Sequence, residues 1–408
     1  MNSINHSRRN LLTTTGGAIG LASIGAIGSL TPAAKALAAA QDEKKKIDLP
    51  DYASWKNADS LIIHSANTME TKRSAFGSGV ITPLDRLFVR NNISPPSEDI
   101  VADPDVWQLQ IEGVKNPVTI SVAELKTLGV TTVAMVLQCS GNGRAYFPSK
   151  PSGTQWTVGA AGCVMFTGVP VKAVLEHVGG MNADAKYMTG TGGEPIPEGL
   201  DPNTIQVERS VPLEGIENAL LAWEINGEPL PLAHGGPLRL IVPGYTGVNN
   251  VKYIKRLAFT TEQSAANIQQ TGYRLAPQGE KGSPTQKSVW EMPVKSWITH
   301  PGEPDAKLKA GNLQIQGLAM GGTSEVTGVE VSVDGGKTWK KAEFTGPDLG
   351  PFAWRQFVLP VNLKAGTYTL ASRATNKAGD EQPAERLENN RGYLNNSWND
   401  HALTITVA

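Results

Sequence analysis

Two rhythms of apolar and polar positions run along this chain. Across residues 107–114 apolar and polar residues alternate, the period of a strand with one buried face. The apolar run at 133–137 predicts a buried strand, residues 219–225 are strand-like, and residues 238–242 predict another buried strand. The turns Asn226-Gly227 and Pro243-Gly244 close the last two. Residues 84–90 and 251–260 predict two more strands. Helical signals are confined to short pieces. Ser121 opens one helix, with Glu124 placed for a capping box. Residues 169–178 form another, entered through Pro170 and ended by Gly179-Gly180. Residues 51–78 have few periodic apolar positions and predict an extended arm lying over a neighbouring surface. Residues 263–286 are polar and irregular. From residue 294 the rhythm changes to short alternating strands (313–318, 326–333, 367–372), with Asp334-Gly335-Gly336 as a hairpin turn. The pattern predicts an α+β domain over residues 81–285 and an all-β, immunoglobulin-like sandwich over residues 286–408.

Composition agrees with that division. The chain has 408 residues, with 43 glycines, 27 prolines and only 18% charged residues, which favours a loop-rich β-containing enzyme over helical bundles. A formal net charge of -1 leaves no electrostatic footprint for nucleic acid. The first residues have a different character. Ser7-Arg8-Arg9-Asn10-Leu11-Leu12 precedes a Gly/Ala-rich apolar run and then Ala36-Leu37-Ala38, the layout of a twin-arginine signal peptide over residues 1–38. The run is too short and too glycine-rich to make a stable membrane span, so the expected location is the periplasm. That route exports folded chains, which points to a cofactor inserted before export. Residues 39–80 are then an N-terminal arm.

The candidate chemistry centres on Val136-Leu-Gln-Cys-Ser-Gly-Asn-Gly-Arg-Ala-Tyr-Phe147, where an apolar strand ends in Cys139 and a glycine turn before Arg144. A thiol there is either a thiolate ligand or nucleophile, or a buried residue acting as a small apolar group. The other cysteine is Cys163, and in an oxidising compartment the two could pair. No C-x-x-C-H occurs, so no c-type haem is attached to this chain, and no zinc spacing is present. His234, Arg239 and Lys252 gather around a tight turn and suit a phosphate.

Taken together, Phe88-Val-Arg-Asn91, Leu137-Gln-Cys-Ser-Gly-Asn-Gly-Arg144, the run from Asn226 through His234 to Arg239, Val242-Pro-Gly244 and Val251-Lys-Tyr253 resemble the sulfite oxidase family of molybdopterin enzymes. In the C-terminal part, Val331-Ser-Val-Asp-Gly-Gly-Lys-Thr-Trp339 and Asn390-Arg-Gly-Tyr-Leu-Asn-Asn-Ser-Trp398 resemble that family's dimerisation domain. The resemblance spans roughly residues 80–408. It implies a molybdenum–molybdopterin cofactor, with an oxo-molybdenum centre and one pterin dithiolene per chain, and no haem. By the same resemblance Cys139 is the molybdenum thiolate, a soft donor suited to a redox metal. Arg90, Arg144 and Arg391 are anion-binding, and Tyr273 is the active-site tyrosine. Asn91, Asn92, His234, Arg239 and Lys252 line the cofactor, the last three chiefly at its phosphate. One departure is Asn92, where eukaryotic members carry histidine, and another is the lack of a fused haem domain. Cys163 matches nothing in the motif and reads as structural.

The implied activity is oxidation of sulfite to sulfate, with electrons passed singly to a separate periplasmic c-type cytochrome by a homodimer. Two neighbouring activities share these motifs. One is a sulfane-sulfur dehydrogenase of a thiosulfate-oxidising system. The other is a periplasmic methionine sulfoxide reductase, a class that typically lacks the C-terminal sandwich. A reading of another class is a cofactor-free binding protein with Cys139 bonded to Cys163.

Overall fold

The computed structural model describes residues 48–303 and 306–408. The signal-peptide reading of residues 1–38 lies outside them, as does the start of the predicted arm.

Residues 51–78 do not form an extended arm. Strands Leu61–Ser65 and Thr68–Thr71 pair antiparallel, and the second pairs with Val89–Arg90 to complete a three-stranded sheet. The sequence hid this because all four residues of Thr68–Thr71 are buried although three are polar. The Glu70 carboxylate lies inside, accepting from the backbone N–H groups of Thr157 at 2.8 Å and Gly159 at 2.9 Å. The strand expected over residues 84–90 shortens to Val89–Arg90. Ahead of it the Pro83 carbonyl accepts from Arg86 and Leu87 N–H and forces a turn.

Two five-stranded sheets follow. The first orders Glu228–Pro229, Leu220–Ile225, Ala161–Pro170 and Thr131–Gln138, with Arg239–Ile241 also on Leu220–Ile225. The second orders Val118–Ser121, Gln108–Glu112, Ile254–Thr260, Tyr187–Gly192 and Glu208–Pro212. Its Gln108–Glu112/Ile254–Thr260 pairing is parallel. Leu109, Ile111, Val174, Met188, Leu221, Leu240 and Leu257 pack into one apolar cluster that draws on both sheets. The helices are short: Val122–Leu125, with the expected Ser121/Glu124 capping box, Val171–His177, and Pro202–Ile205. Strands Ala161–Pro170, Tyr187–Gly192 and Glu208–Pro212 were not anticipated. Tyr187–Gly192 is rich in Gly and Thr, which give no apolar rhythm.

The C-terminal half is the expected sandwich. One sheet orders Lys295–His300, Gly311–Met320, Arg355–Leu363 and Glu343–Thr345. The other orders Lys307–Leu308, Leu403–Val407, Gly366–Asn376, Val326–Ser332 and Lys340–Lys341. The predicted hairpin joins Val326–Ser332 to Lys340–Lys341, and Asp334 Oδ1 accepts from Lys337 and Thr338 N–H at 3.0 and 2.9 Å.

The two halves share a core. Val136 and Cys163 from the cysteine sheet, with Val158 from the segment leading into it, pack in one cluster with Trp297, Leu318 and Trp354 of the sandwich. Trp354 Nε1 donates to the Val80 carbonyl at 2.7 Å, and Asn395 Nδ2 donates to the Gly143 carbonyl at 3.0 Å.

Candidate active site

Cys139 follows directly on the strand Thr131–Gln138, and its N–H donates to the Ala160 carbonyl at 2.9 Å. The chain then turns tightly, with Asn142 N–H on the Cys139 carbonyl and Arg144 N–H on the Gly141 carbonyl. Gly143 takes the left-handed conformation, φ 97°, that glycine adopts without a Cβ penalty. The Asn142 amide staples the turn, donating to Gln138 Oε1 and the Val158 carbonyl and accepting from Ala160 N–H. Gly141 leaves room for the Arg144 guanidinium, since a Cβ there would lie 2.4 Å from Arg144 Nη2.

Two adjoining cavities meet at Cys139. The inner one is lined by Arg90, Asn91, Asn92, Cys139, His234, Arg239, Lys252 and Tyr273, together with Ser140, Glu194 and apolar walls. The outer one opens toward solvent and shares Arg90, Asn91, Asn92, Cys139 and Tyr273, adding Arg144, Arg391 and Tyr393. Every site residue named from the sequence therefore lines one or both.

The cations stand without carboxylate partners. Among the described residues none of Arg90, Arg144, His234, Arg239, Lys252 and Arg391 takes part in an ion pair. Neutral acceptors hold them instead. Arg144 donates to the carbonyls of Arg391 at 2.8 Å and Thr154 at 3.0 Å, and its guanidinium lies 5.4 Å from the Tyr393 ring centre. Arg239 donates to the carbonyls of Asn250 at 3.0 Å and His234 at 2.8 Å. Lys252 Nζ donates to Asn91 Oδ1 at 2.6 Å and the Ala233 carbonyl at 2.7 Å. Arg391 is exposed at the mouth of the outer cavity, where it donates to the Ser152 hydroxyl.

Burial works against these charges. It lowers Arg239 to about 10 and drives Lys252 well below its usual range, with Arg239 adding repulsion. His234 is also driven well down, by burial first and then by Lys56, Lys252 and Arg239. Arg90 goes the other way: burial opposes its charge, but Tyr273, Cys139, Tyr393 and Glu194 hold it up. Cations left uncompensated in an enclosed place call for an anionic ligand.

Three features were missed in the sequence. Lys56 Nζ sits 3.0 Å from His234 Nε2. Nothing in the sequence around Lys56 signalled this. Tyr393 stacks on Tyr273 at 5.0 Å, in the motif that had been read for Arg391 alone. Glu194 follows a glycine-rich strand, Thr189-Gly-Thr-Gly-Gly193, whose spare backbone was the available signal. Asn92, the departure from the family pattern, accepts from Arg90 Nη2 at 3.2 Å and donates to the Ile205 carbonyl at 2.8 Å, tying Arg90 to the helix Pro202–Ile205.

Cys139 and Cys163 are both free thiols, which overturns the reading of a Cys139–Cys163 disulfide. Cys163 is fully buried opposite Val136, and burial pushes its thiol up to about 12.

The donor set fits a molybdenum–pterin cofactor. Among the described residues no group of three or more His, Cys, Asp or Glu could hold a metal ion. Cys139 thus supplies one soft ligand, and a dithiolene would complete a sulfur-rich environment. The comparisons agree. Residues 96–268 match the oxidoreductase molybdopterin binding domain, and residues 286–407 match the Mo-co oxidoreductase dimerisation domain. The chain is thus a molybdopterin-binding oxidoreductase. It is 32% identical to the sulfite oxidase of Gallus gallus over 340 residues, covering 78% of this chain and 72% of that one. It is 29% identical to the sulfite oxidase of Arabidopsis thaliana, over 82% of this chain and 91% of that one. Among solved structures, the sulfane dehydrogenase SoxCD from Paracoccus pantotrophus superposes with a TM-score of 0.67 at 28% identity, covering 84% of this chain and 87% of that one. The chain belongs to the sulfite oxidase family.

Proposed function

We propose that this chain is a periplasmic sulfite dehydrogenase, which oxidises sulfite to sulfate and passes electrons singly to a separate c-type cytochrome. The observation that carries the reading is the outer cavity, which has three arginines, no acidic residue, and Cys139 at its floor. Arg391 at the mouth and the buried Arg144 beneath it draw in a small oxyanion, and Arg90 beside Cys139 and Tyr273 receives it. Because backbone carbonyls rather than acids hold Arg144, its full charge faces the substrate. Asn92 fixes the Arg90 fork for a planar contact with two oxygens. The Tyr273 hydroxyl, on a ring clamped by Tyr393, donates to the anion or holds a proton beside it. Cys139 would hold molybdenum, and Arg239, Lys252 and His234 the cofactor phosphate. Bound there, the cofactor supplies the two-electron oxidation and the water-derived oxygen atom. An external carrier accords with the absence of a c-type haem-attachment motif from the sequence. The export signature supports the periplasm, and the dimerisation-domain match supports a homodimer.

Sulfane-sulfur oxidation is the second reading, favoured by the likeness to the sulfane dehydrogenase structure. The sandwich argues against a methionine sulfoxide reductase. Reduction of cytochrome c by purified enzyme, driven by sulfite or by a thiosulfate-dependent carrier system, separates the two main readings. Turnover with the carrier system alone would sink sulfite as substrate. Replacing Arg90 with Gln should raise the sulfite KM by about tenfold or more while the protein keeps its molybdenum, as expected for losing one charged contact. An unchanged KM would remove Arg90 from substrate binding.

A further inference from the structure

Arg209 stands on the strand Glu208–Pro212 and lines neither cavity. It is 1% exposed, and among the described residues it takes part in no ion pair. Neutral groups take its donors. Nε and Nη2 donate to Asn249 Oδ1 at 3.2 and 3.1 Å, Nη1 to the Ile268 carbonyl at 2.8 Å, and Nη2 also to the Ser288 hydroxyl at 3.1 Å. Burial lowers the guanidinium to about 9, with Tyr273 the first group to hold it up, so it remains charged at neutral pH. A buried charge without a counter-charge is unfavourable, and apolar packing is commonly as stable in such a place. Stability alone therefore gives no reason for an arginine here.

Its partners converge on two residues of the site. One is Tyr273. The Ile268 carbonyl that Arg209 grips also accepts from Tyr273 N–H, at 3.3 Å. On the other side Val289, next to Ser288, donates its N–H to the Tyr273 carbonyl at 2.9 Å. Arg209 thus braces the backbone before and after Tyr273, and its guanidinium lies 5.5 Å from the centre of the ring. The second residue is Cys139. The Asn249 amide that receives Arg209 donates through Nδ2 to the Thr246 hydroxyl at 3.1 Å. The same hydroxyl accepts from Ser140, the residue after Cys139, at 2.9 Å. Arg209, Asn249, Thr246 and Ser140 are all buried, so solvent does not compete for these bonds. We infer that Arg209 is a positioning residue for the reaction: it sets the Tyr273 phenol in register with the Cys139 thiolate through one buried network. An apolar residue would fill the space, but only a fork of fixed geometry ties three separate segments at once. The inference rests on the reading of Tyr273 as the group that meets the substrate.

The test is a double-mutant cycle on the full-length holoenzyme, with cytochrome c reduction per bound molybdenum as the rate. The electron donor is whichever of sulfite or the thiosulfate-dependent carrier system drives the wild type, so failure of sulfite sinks the reading above and leaves the cycle measurable. Arg209→Lys keeps the charge but cannot reach all the acceptors. It and Tyr273→Phe should each lower kcat/KM about tenfold, and the double variant should also lose only about tenfold, because residues acting through one contact are not additive. Losses that multiply to about a hundredfold overturn the inference and leave Tyr273 in its role, since Arg209 would then act elsewhere. Arg209→Lys at the wild-type rate per molybdenum overturns it as well, whatever its metal content. Tyr273→Phe at the wild-type rate removes the tyrosine itself from the reaction, and the inference with it. Should the lysine variant fail to fold, Ser288→Ala decides. It takes away one acceptor of Arg209 and should lower kcat/KM about threefold in the wild-type background and leave Tyr273→Phe unchanged. The same effect in both backgrounds is then the overturning result.

Discussion

The two cysteines show how far surroundings alone separate identical side chains. Cys139 is half-buried at the meeting of two cavities, and Cys163 is sealed in a core cluster with its thiol pushed up to about 12. Only a thiolate alkylates or binds metal. In protein stripped of cofactor, iodoacetamide at pH 8 should label Cys139 and leave Cys163 unmodified, which peptide mass spectrometry reads directly. Cys139→Ser should purify with little molybdenum and no turnover; a variant with normal metal content would remove Cys139 from the ligand set. Lys295 makes a prediction of another sort. It is buried, 3.3 Å from the Asn142 carbonyl, and lowered to about 7 by burial first and by Arg73 second, with Asp400 and Glu70 opposing. A lysine whose folded pKa lies below its unfolded value leaves the unfolded chain holding more protons between about pH 7 and 10.5, so wild-type stability rises with pH there. Lys295→Met should be more stable than wild type below pH 7, and the gap should close toward pH 10. Melting curves of both proteins at pH 6, 8 and 10 give the answer, and a constant gap would mean that Lys295 stays protonated. Legibility at this scale followed the type of chemistry. Cys139, Arg90, His234 and Arg239 stand within two residues of a glycine, asparagine or proline, and their types declare themselves. Glu194, Lys56 and Lys295 look like ordinary surface charges, because burial of a charge belongs to the fold and leaves no mark on neighbouring residues.

At the scale of elements, the strands carrying the site were legible when their residues were apolar and hidden when they were small or polar. Residues 133–137 announced the strand that leads into Cys139. Its partner Ala161–Pro170 begins Ala-Gly-Cys, and Thr68–Thr71 buries polar side chains, so neither gave a period. What fixes these strands is close approach. Gly159 lies beneath the three-stranded sheet, and an added Cβ would fall 1.7 Å from the Thr71 carbonyl oxygen, a backbone atom that cannot step aside. The same segment carries the N–H groups that satisfy Glu70 and leads to Ala160, which anchors Cys139. Gly159→Ala should therefore cost about 3 kcal/mol, the upper range for overpacking, and loosen the wall behind the thiolate. Gly328→Ala is the control, since nothing lies within 4 Å of its Cβ position and its backbone is ordinary. Denaturant midpoints of the two variants should differ clearly, with Gly328→Ala close to wild type. Equal midpoints would show that the three-stranded sheet shifts freely and does not brace the site.

For the whole molecule, the change of rhythm near residue 285 suggested a division into two parts, yet the rhythm could not show that the parts share a core. Contact between distant segments leaves no local period. Trp297 and Trp354 of the sandwich are nearly fully buried against Val136 and Cys163 of the cysteine sheet and the neighbouring Val158. Arg391 and Tyr393 complete the outer cavity, and Asn395 holds the turn that carries Arg144. The sandwich is thus part of the active site as well as a dimerisation element. Trp354→Ala tests that coupling more finely than truncation, which would expose the whole cluster. It removes a large buried side chain and its hydrogen bond to Val80, a change worth about 3–5 kcal/mol. If the halves unfold as one unit, the variant lowers a single transition, seen alike by circular dichroism and by the absorbance of the bound cofactor. The cofactor signal would then fall with a residue that touches neither cavity. Two transitions, with the cofactor signal lost at the wild-type temperature, would show that the sandwich melts separately and that its contribution to the site ends at the residues lining the outer cavity.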